Sequence, residues 1–300
     1  PEGEGKKYRT MVLVMGGGKK VSYSAGQLTA MHYMGFKNSV DNILGISGGG
    51  PVAAYFVAGE ENGPKGTSLL AKEAGDKEFF DLKRYKQVMN IKHMGKAMRE
   101  GPKALDEQAV LDSPTGLYVA VNKVDSDKME WVDVKTAKPG MVSALEATGN
   151  IPFTWGSGIE VNGEEYFDGG FGQIDLQELI DQFKPTDILI LPSRPFDEIE
   201  AIGPGLLKSS IIKKMPKGGY PGVYRKFAHM SEELRKLMKE TKTQKNVDIA
   251  VLWPPDSKLE NATMDPIMVE TAIYESARDT FKAFGENVQD VKLYKPEDKK

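Results

Sequence analysis

Ser47 stands at the centre of Gly45-Ile46-Ser47-Gly48-Gly49, a G-x-S-x-G pattern. A serine hydroxyl is a weak nucleophile until a neighbouring base takes its proton, so the setting of such a serine decides whether it reacts. Here Asp41-Asn42-Ile43-Leu44 reads as a short strand, and Val52 to Ala58 reads as a buried helix. A serine on a sharp strand-to-helix turn projects its hydroxyl beyond the sheet, and small flanking residues leave room for a substrate. That is a nucleophile elbow. The structural alternative is a helix-capping Ser47 in a tight turn.

The partner candidate is Asp168. Ile159 to Phe167 has Asn162-Gly163 at its centre, the sequence of a tight hairpin, and Asp168-Gly169-Gly170 follows its second strand. A carboxylate in a water-poor site has its pKa raised and accepts a proton from serine directly. Gly16-Gly17-Gly18 supplies a third element: it ends the apolar run Tyr8 to Met15 and precedes a helix over Ser22 to Met34. Three glycines let backbone N–H groups face an anion, and the helix N-terminus adds partial positive charge. Gly16, Gly17, Gly18 and Gly48 are the oxyanion-hole candidates, with a plain tight turn as the alternative for the glycines. A dinucleotide fingerprint fails because its third glycine falls at Val21, and a P-loop fails because Val21 follows Lys20 where Ser or Thr is needed.

A catalytic triad needs histidine, and the chain has only His32, His93 and His229. His229 alone follows Asp168 in the order Ser, Asp, His, yet it lies in Arg225-Lys226-Phe227-Ala228-His229, which patterns as helix. A Ser-Asp-His esterase is therefore the alternative mechanism. No metal or cofactor motif occurs, and the absence of cysteine removes disulfides, thiolate metal sites and cysteine nucleophiles.

These groups need a scaffold. Further strands are predicted at Leu117–Val124, Met129–Val134, Thr186–Ser193 and Val247–Trp253. Further helices are predicted at Lys65–Glu73, Asp106–Leu111, Gly140–Thr148, Leu176–Phe183, Tyr224–Glu240 and Asp265–Phe284. Strands alternating with helices predict an α/β fold with a mainly parallel sheet covered on both faces. The 300 residues, 40% of them hydrophobic, suffice for one domain over residues 8–285, followed by a charged tail over 286–300. Between residues 59 and 113, Lys92, Lys96 and Arg99 alternate with Met89, Met94 and Met98, either bordering an apolar cleft or forming an amphipathic helix on the core.

With 40 Lys plus Arg against 43 Asp plus Glu, the net charge of -3 offers no general attraction to nucleic acid. One stretch departs from this balance. Leu206 to Phe227 carries Lys208, Lys213, Lys214, Lys217, Arg225 and Lys226 among large apolar residues and contains no acid, which suits peripheral contact with an anionic membrane. The start lacks an apolar signal core and there is no membrane-spanning apolar run, so a cytoplasmic location, peripheral at membrane, is expected; a chain opening on Pro1 leaves room for a trimmed upstream segment.

Gly16-Gly17-Gly18, Gly45-Ile46-Ser47-Gly48-Gly49, Gly149-Asn150-Ile151-Pro152-Phe153 and Asp168-Gly169-Gly170, in that order, resemble the patatin-like phospholipases. The resemblance runs from about Met11 to Phe284 and is nearest to the bacterial branch. It implies a three-layer α/β/α fold, a Ser-Asp dyad of Ser47 and Asp168, an oxyanion loop at Gly16 to Gly18, and hydrolysis of lipid acyl esters without a cofactor. The chain has Lys20-Val21 where the family usually has Arg-Gly, and Phe171-Gly172-Gln173-Ile174-Asp175 where it usually has a proline-containing loop. A protein that keeps this fold but only binds lipid is the second class of function compatible with the sequence.

Overall fold

A computed structural model describes residues 8–59, 62–81, 83–84, 88–123, 129–152, 157–172, 174–195, 236, 239, 246–255, 259–260 and 263–286. The apolar run at the start forms β1 (Thr10–Val14) and, after the glycines, α1 (Val21–Tyr33). Next come β2 (Asn42–Ile46), α2 (Gly49–Ala58), α3 (Gly63–Ala71), α4 (Ile91–Arg99) and α5 (Glu107–Asp112). The hairpin β3 (Gly116–Lys123) and β4 (Met129–Asp133) leads to α6 (Met141–Thr148). A second hairpin, β5 (Ile159–Val161) and β6 (Glu164–Asp168), turns at Asn162 and Gly163, both at positive φ as the Asn-Gly pair requires. Among the described residues there follow α7 (Leu176–Phe183), β7 (Asp187–Leu191), β8 (Asp248–Val251) and α8 (Pro266–Ala283).

The strands form one eight-stranded sheet in the order β5-β6-β3-β2-β1-β7-β8, with β4 on the other edge of β3. From β3 through β2, β1 and β7 to β8 every pairing is parallel, whereas β4, β5 and β6 pair antiparallel. Alternation in the sequence predicted a mainly parallel sheet, with an antiparallel hairpin at Asn162-Gly163. The short connections β3–β4 and β5–β6 are hairpins, which make their pairs antiparallel at one end of an otherwise parallel sheet.

The central strands β1, β2, β3 and β7 bury both faces. Val12, Val14, Ile43 and Val119 pack under α1, α2 and α6, while Met11, Leu13, Leu44, Ile46, Ile188 and Ile190 pack with Leu176 and Leu179 of α7. These are the three layers of an α/β/α fold. The α8 helix starts at Asp265, whose carboxylate accepts the Ile267 N–H at 2.9 Å, with Pro266 in the first turn where its missing donor is harmless. It lies directly on α1: a Cβ at Gly26 would stand 2.2 Å from the Ile273 carbonyl oxygen.

The basic, Met-rich segment resolves as an amphipathic helix. Ile91, Met94 and Met98 of α4 are buried, and Lys92, Lys96 and Arg99 lie on its exposed side. Two of those cations reach a fully buried carboxylate on α6. Lys92 Nζ stands 2.5 Å from Glu146 Oε2 and Arg99 Nη1 2.8 Å from Glu146 Oε1.

Candidate active site

The parallel strands end together, and β2 runs straight into the elbow. Ser47 has φ 55°, a left-handed conformation that L-residues other than Asn, Asp and His seldom adopt, and its carbonyl accepts the Gly50 N–H at 3.0 Å as α2 begins. The strand-turn-helix setting expected of the G-x-S-x-G pattern is present.

The sheet register brings Asp168 to this elbow. Residues 118–120 of β3 pair with both β2 and β4, and Val121 and Asn122 pair with both β4 and β6, so β2 and β6 share the edge of β3 opposite β4. Ile46 pairs with Ala120 and Asp168 with Val121, the next residue along that edge. The antiparallel β6 thus meets the C-terminal end of β2 head to head. Ser47 Oγ donates to Asp168 Oδ2 at 2.6 Å. The other oxygen, Oδ1, accepts the Gly170 N–H at 2.7 Å, as the turn after β6 folds back on its own aspartate.

Asp168 is 1% exposed. Burial pushes its carboxyl up to about 7, against the opposing pull of the Ser47 and Gly170 hydrogen bonds. A carboxylate so placed holds a proton far more tightly than one in water, and it sits in hydrogen-bond contact with the Ser47 hydroxyl.

The glycine loop lies on the other side of Ser47. A Cβ at Gly16 would stand 2.6 Å from Ser47 Cβ, so only glycine allows the loop this close. Gly18 begins a short 3-10 turn, Gly18–Lys20, that leads into α1, and the space a Gly48 Cβ would take lies 3.6 Å from the Gly18 carbonyl oxygen. The structure therefore sets Gly16 against Ser47 and Gly18 near Gly48, while the Cα of Gly17 faces Ser193.

Several supporting contacts escaped the sequence reading. The Ser47 N–H donates to Thr148 Oγ1 at 3.0 Å, the Asp168 N–H donates to the Asn150 carbonyl at 3.0 Å, and Asn122 Nδ2 donates to the Asp168 carbonyl at 2.9 Å. Ser193, just past β7, donates its hydroxyl to the Gly16 carbonyl at 2.5 Å. Each of Thr148, Asn150, Asn122 and Ser193 is a polar residue within or at the end of an otherwise apolar element and is less than a tenth exposed. Buried polar residues in such runs need partners, the one signal by which the sequence could have marked them.

Where the family usually has Arg-Gly, the chain forms the last residue of the 3-10 turn, Lys20, and the first of α1, Val21. Lys19, the residue before them, is itself buried; its Nζ donates to the Leu70 carbonyl at 2.7 Å, tying the loop to α3, and burial pulls its ammonium down to about 7. Beyond Asp168, Gly169–Phe171 makes a 3-10 turn; Ile174 is buried against α7, while Gln173 lies outside the described residues.

His93 has its ring nitrogens at 3.0 Å from Glu73 Oε2 and 3.3 Å from Glu78 Oε2, and His32 packs edge-on against Phe56. Both hold structural positions on the helical layer. His229, the triad candidate, and the basic stretch Leu206 to Phe227 lie outside the described residues, as do Phe153 and the tail from residue 287. Among the described residues no cluster of three or more His, Asp or Glu is arranged to hold a metal ion, and no helix is long and apolar enough to cross a membrane.

Residues 13–174, more than half of the chain, match the family model described as patatin-like phospholipase. Among solved structures, VipD from Legionella pneumophila aligns at 13% identity and a TM-score of 0.47, covering 93% of this chain and 67% of that one. A chain of the SpcU–ExoU complex from the type III secretion system of Pseudomonas aeruginosa aligns at 14% identity and a TM-score of 0.34, covering 91% of this chain and 52% of that one. No curated protein matches in sequence. The matched span begins inside β1 and ends beyond the Asp168 turn, taking in the glycine loop, the elbow and the aspartate; the chain belongs to the patatin-like phospholipase family.

Proposed function

We propose that the protein is a serine acyl hydrolase, acting on phospholipid or related lipid esters through a dyad of Ser47 and Asp168. The observation that carries this reading is the 2.6 Å hydrogen bond from Ser47 Oγ to the buried Asp168 carboxylate. Family membership supports the lipid substrate class.

Ser47 Oγ attacks the ester carbonyl carbon as its proton passes to Asp168 Oδ2. The carbonyl oxygen becomes an oxyanion and is met by N–H groups of the glycine loop and of Gly48, each commonly worth about 3 kcal/mol in the transition state. As the intermediate collapses, the ester C–O bond breaks and the departing alkoxide takes the proton from Asp168. An acyl-Ser47 remains. Water then gives a proton to Asp168 as its oxygen attacks the acyl carbon, a second tetrahedral intermediate forms in the same oxyanion site, and its collapse returns the proton to Ser47 Oγ and frees the carboxylic acid. Burial of Asp168 suits both halves, because a carboxyl near 7 exchanges protons with little bias at neutral pH.

A fluorophosphonate probe tests the reading against that of a protein that only binds lipid. Rapid labelling that is lost in Ser47→Ala, together with release of fatty acid from a phospholipid panel, is the expected result. Absence of labelling and of release from the folded protein would overturn it.

Docking on anionic membrane by Leu206 to Phe227 is proposed from the sequence, because each cation near an anionic surface contributes about 1 kcal/mol. Replacing Lys213, Lys214 and Lys217 together by Glu should weaken binding to anionic vesicles and slow hydrolysis of vesicle lipid, while leaving a soluble short-chain ester unaffected. Equal vesicle binding at low salt would remove this stretch from the docking surface.

A further inference from the structure

The loop after β1 lies between two serines on opposite flanks. Its neighbours in the sheet are β2 on one side and β7 on the other, as the order β2-β1-β7 dictates. Ser47 follows β2 and Ser193 follows β7. Gly16 faces the first, since a Cβ there would stand 2.6 Å from Ser47 Cβ; Gly17 faces the second, since a Cβ there would stand 2.2 Å from Ser193 Oγ.

Ser193 is 3% exposed, and its hydroxyl donates to the Gly16 carbonyl at 2.5 Å. The Gly16–Gly17 peptide is trans, so its C=O and N–H point in opposite directions. A carbonyl held toward the β7 flank turns the Gly17 N–H toward the β2 flank, where Ser47 stands. The reversed peptide would present a carbonyl oxygen, which repels an oxyanion, and a link between two glycines has little steric bias of its own against reversal. The Met15 N–H, donating to the Leu191 carbonyl at 3.0 Å, fixes the loop where it leaves β1, and Lys19 fixes it where α1 begins. Neither bond selects the face of the peptide between them.

We infer that Ser193 is a positioning residue that holds the Gly16–Gly17 peptide with the Gly17 N–H aimed at the oxyanion site. The inference rests on the proposed reaction at Ser47 and deepens it: it assigns one donor and the residue that orients it. Ser193 touches neither substrate nor nucleophile. Its effect is on the population of the donor-in state, and loss of a single neutral hydrogen bond shifts such a population by about tenfold.

The test compares Ser193→Ala and Ser193→Thr with the parent on a soluble p-nitrophenyl ester, with active sites counted by fluorophosphonate titration. Per titrated site, Ser193→Ala should lose about tenfold in kcat/KM and bind an alkyl trifluoromethyl ketone, whose adduct with Ser47 carries an oxyanion, about tenfold more weakly. Ser193→Thr, which keeps the hydroxyl, should recover most of both. A merely structural role would lower the number of titratable sites and leave the inhibition constant per site unchanged. The unaltered protein gives a reading that depends on no variant: the amide proton of Gly17 should move downfield when Ser47 is phosphonylated. An unmoved Gly17 resonance, or full kcat/KM per site in Ser193→Ala, would overturn the inference. Turnover that survives in Ser47→Ala would instead overturn the nucleophile assignment, so the two failures are distinct.

Discussion

The backbone N–H of Ser47 donates to Thr148 Oγ1 at 3.0 Å, and the carbonyl of Asn150, two residues further on, accepts the N–H of Asp168 at 3.0 Å. The end of α6 therefore fixes the backbones of both members of the proposed dyad. It also occupies the Ser47 N–H, which leaves the Gly48 N–H as the elbow's donor in the proposed oxyanion site. Thr148→Val keeps the shape but leaves the Ser47 N–H without its acceptor, and should cost about 1–2 kcal/mol of stability in urea unfolding and lower kcat by about tenfold per titrated site. Unchanged kcat would show that the elbow holds its geometry without α6.

The left-handed backbone at Ser47 (φ 55°) is strained for serine, and such strain gathers at functional sites. Ser47→Gly removes both the nucleophile and the steric conflict. Hydrolysis should vanish while thermal stability is maintained or rises by up to about 1 kcal/mol, glycine's extra freedom in the unfolded chain offsetting part of the gain. A marked loss of stability would argue that the Ser47 hydroxyl serves the fold.

Asp168 acts as a base only when ionised, and its carboxyl is pushed up to about 7. The expected profile of kcat/KM rises about tenfold per pH unit below 7 and levels above it. A limb centred near 4 would place the essential carboxylate elsewhere.

The same shift bears on stability, with the opposite sign to a salt-bridged carboxylate. The unfolded chain releases this proton near pH 4 and the folded chain near 7, so between those values the folded state holds the extra proton and stability falls as pH rises. Asp168→Asn should lower turnover by about a thousandfold. It should also make the protein more stable than its parent at pH 8 by a margin that shrinks toward pH 4. Thermal melts at the two pH values check this, and a margin independent of pH would contradict the burial of an ionised Asp168.

Glu146 is fully buried and compensated by Lys92 and Arg99, which are about half exposed. The α4 backbone comes so close that a Cβ at Gly95 would overlap the Glu146 carboxylate. Arg99→Ala leaves a buried carboxylate short of a partner, and should cost about 3 kcal/mol in urea unfolding, well beyond the effect of a surface pair. A loss below about 1 kcal/mol, the range of exposed pairs, would show that Lys92 alone satisfies Glu146.

Local chemistry made much of this legible in the sequence. Apolar β-branched runs gave β1 and β7 to within a few residues, Asn162-Gly163 gave the β5–β6 turn, and Leu176–Phe183 has its expected bounds; in the structure Asp175 caps it, accepting the Gln177 N–H at 2.9 Å. Ser47, Asp168 and the three glycines were also legible, since turn chemistry and motif spacing are properties of neighbouring residues. Tertiary structure decided what those residues touch. The antiparallel entry of β6 follows from register on β3, which sets Asp168 beside Ile46 across 122 residues of chain, and no local pattern encodes a register between distant strands. The raised carboxyl of Asp168 likewise arises from burial by the assembled sheet and turns, a property the aspartate does not have in its own hairpin. Thr148, Ser193 and Lys19 read in sequence as unremarkable polar residues, and their partners lie 101, 177 and 51 residues away. Hydrogen bonds over such separations exist only after the core has packed, because the entropy of closing those loops is met by apolar burial and not by the bonds themselves.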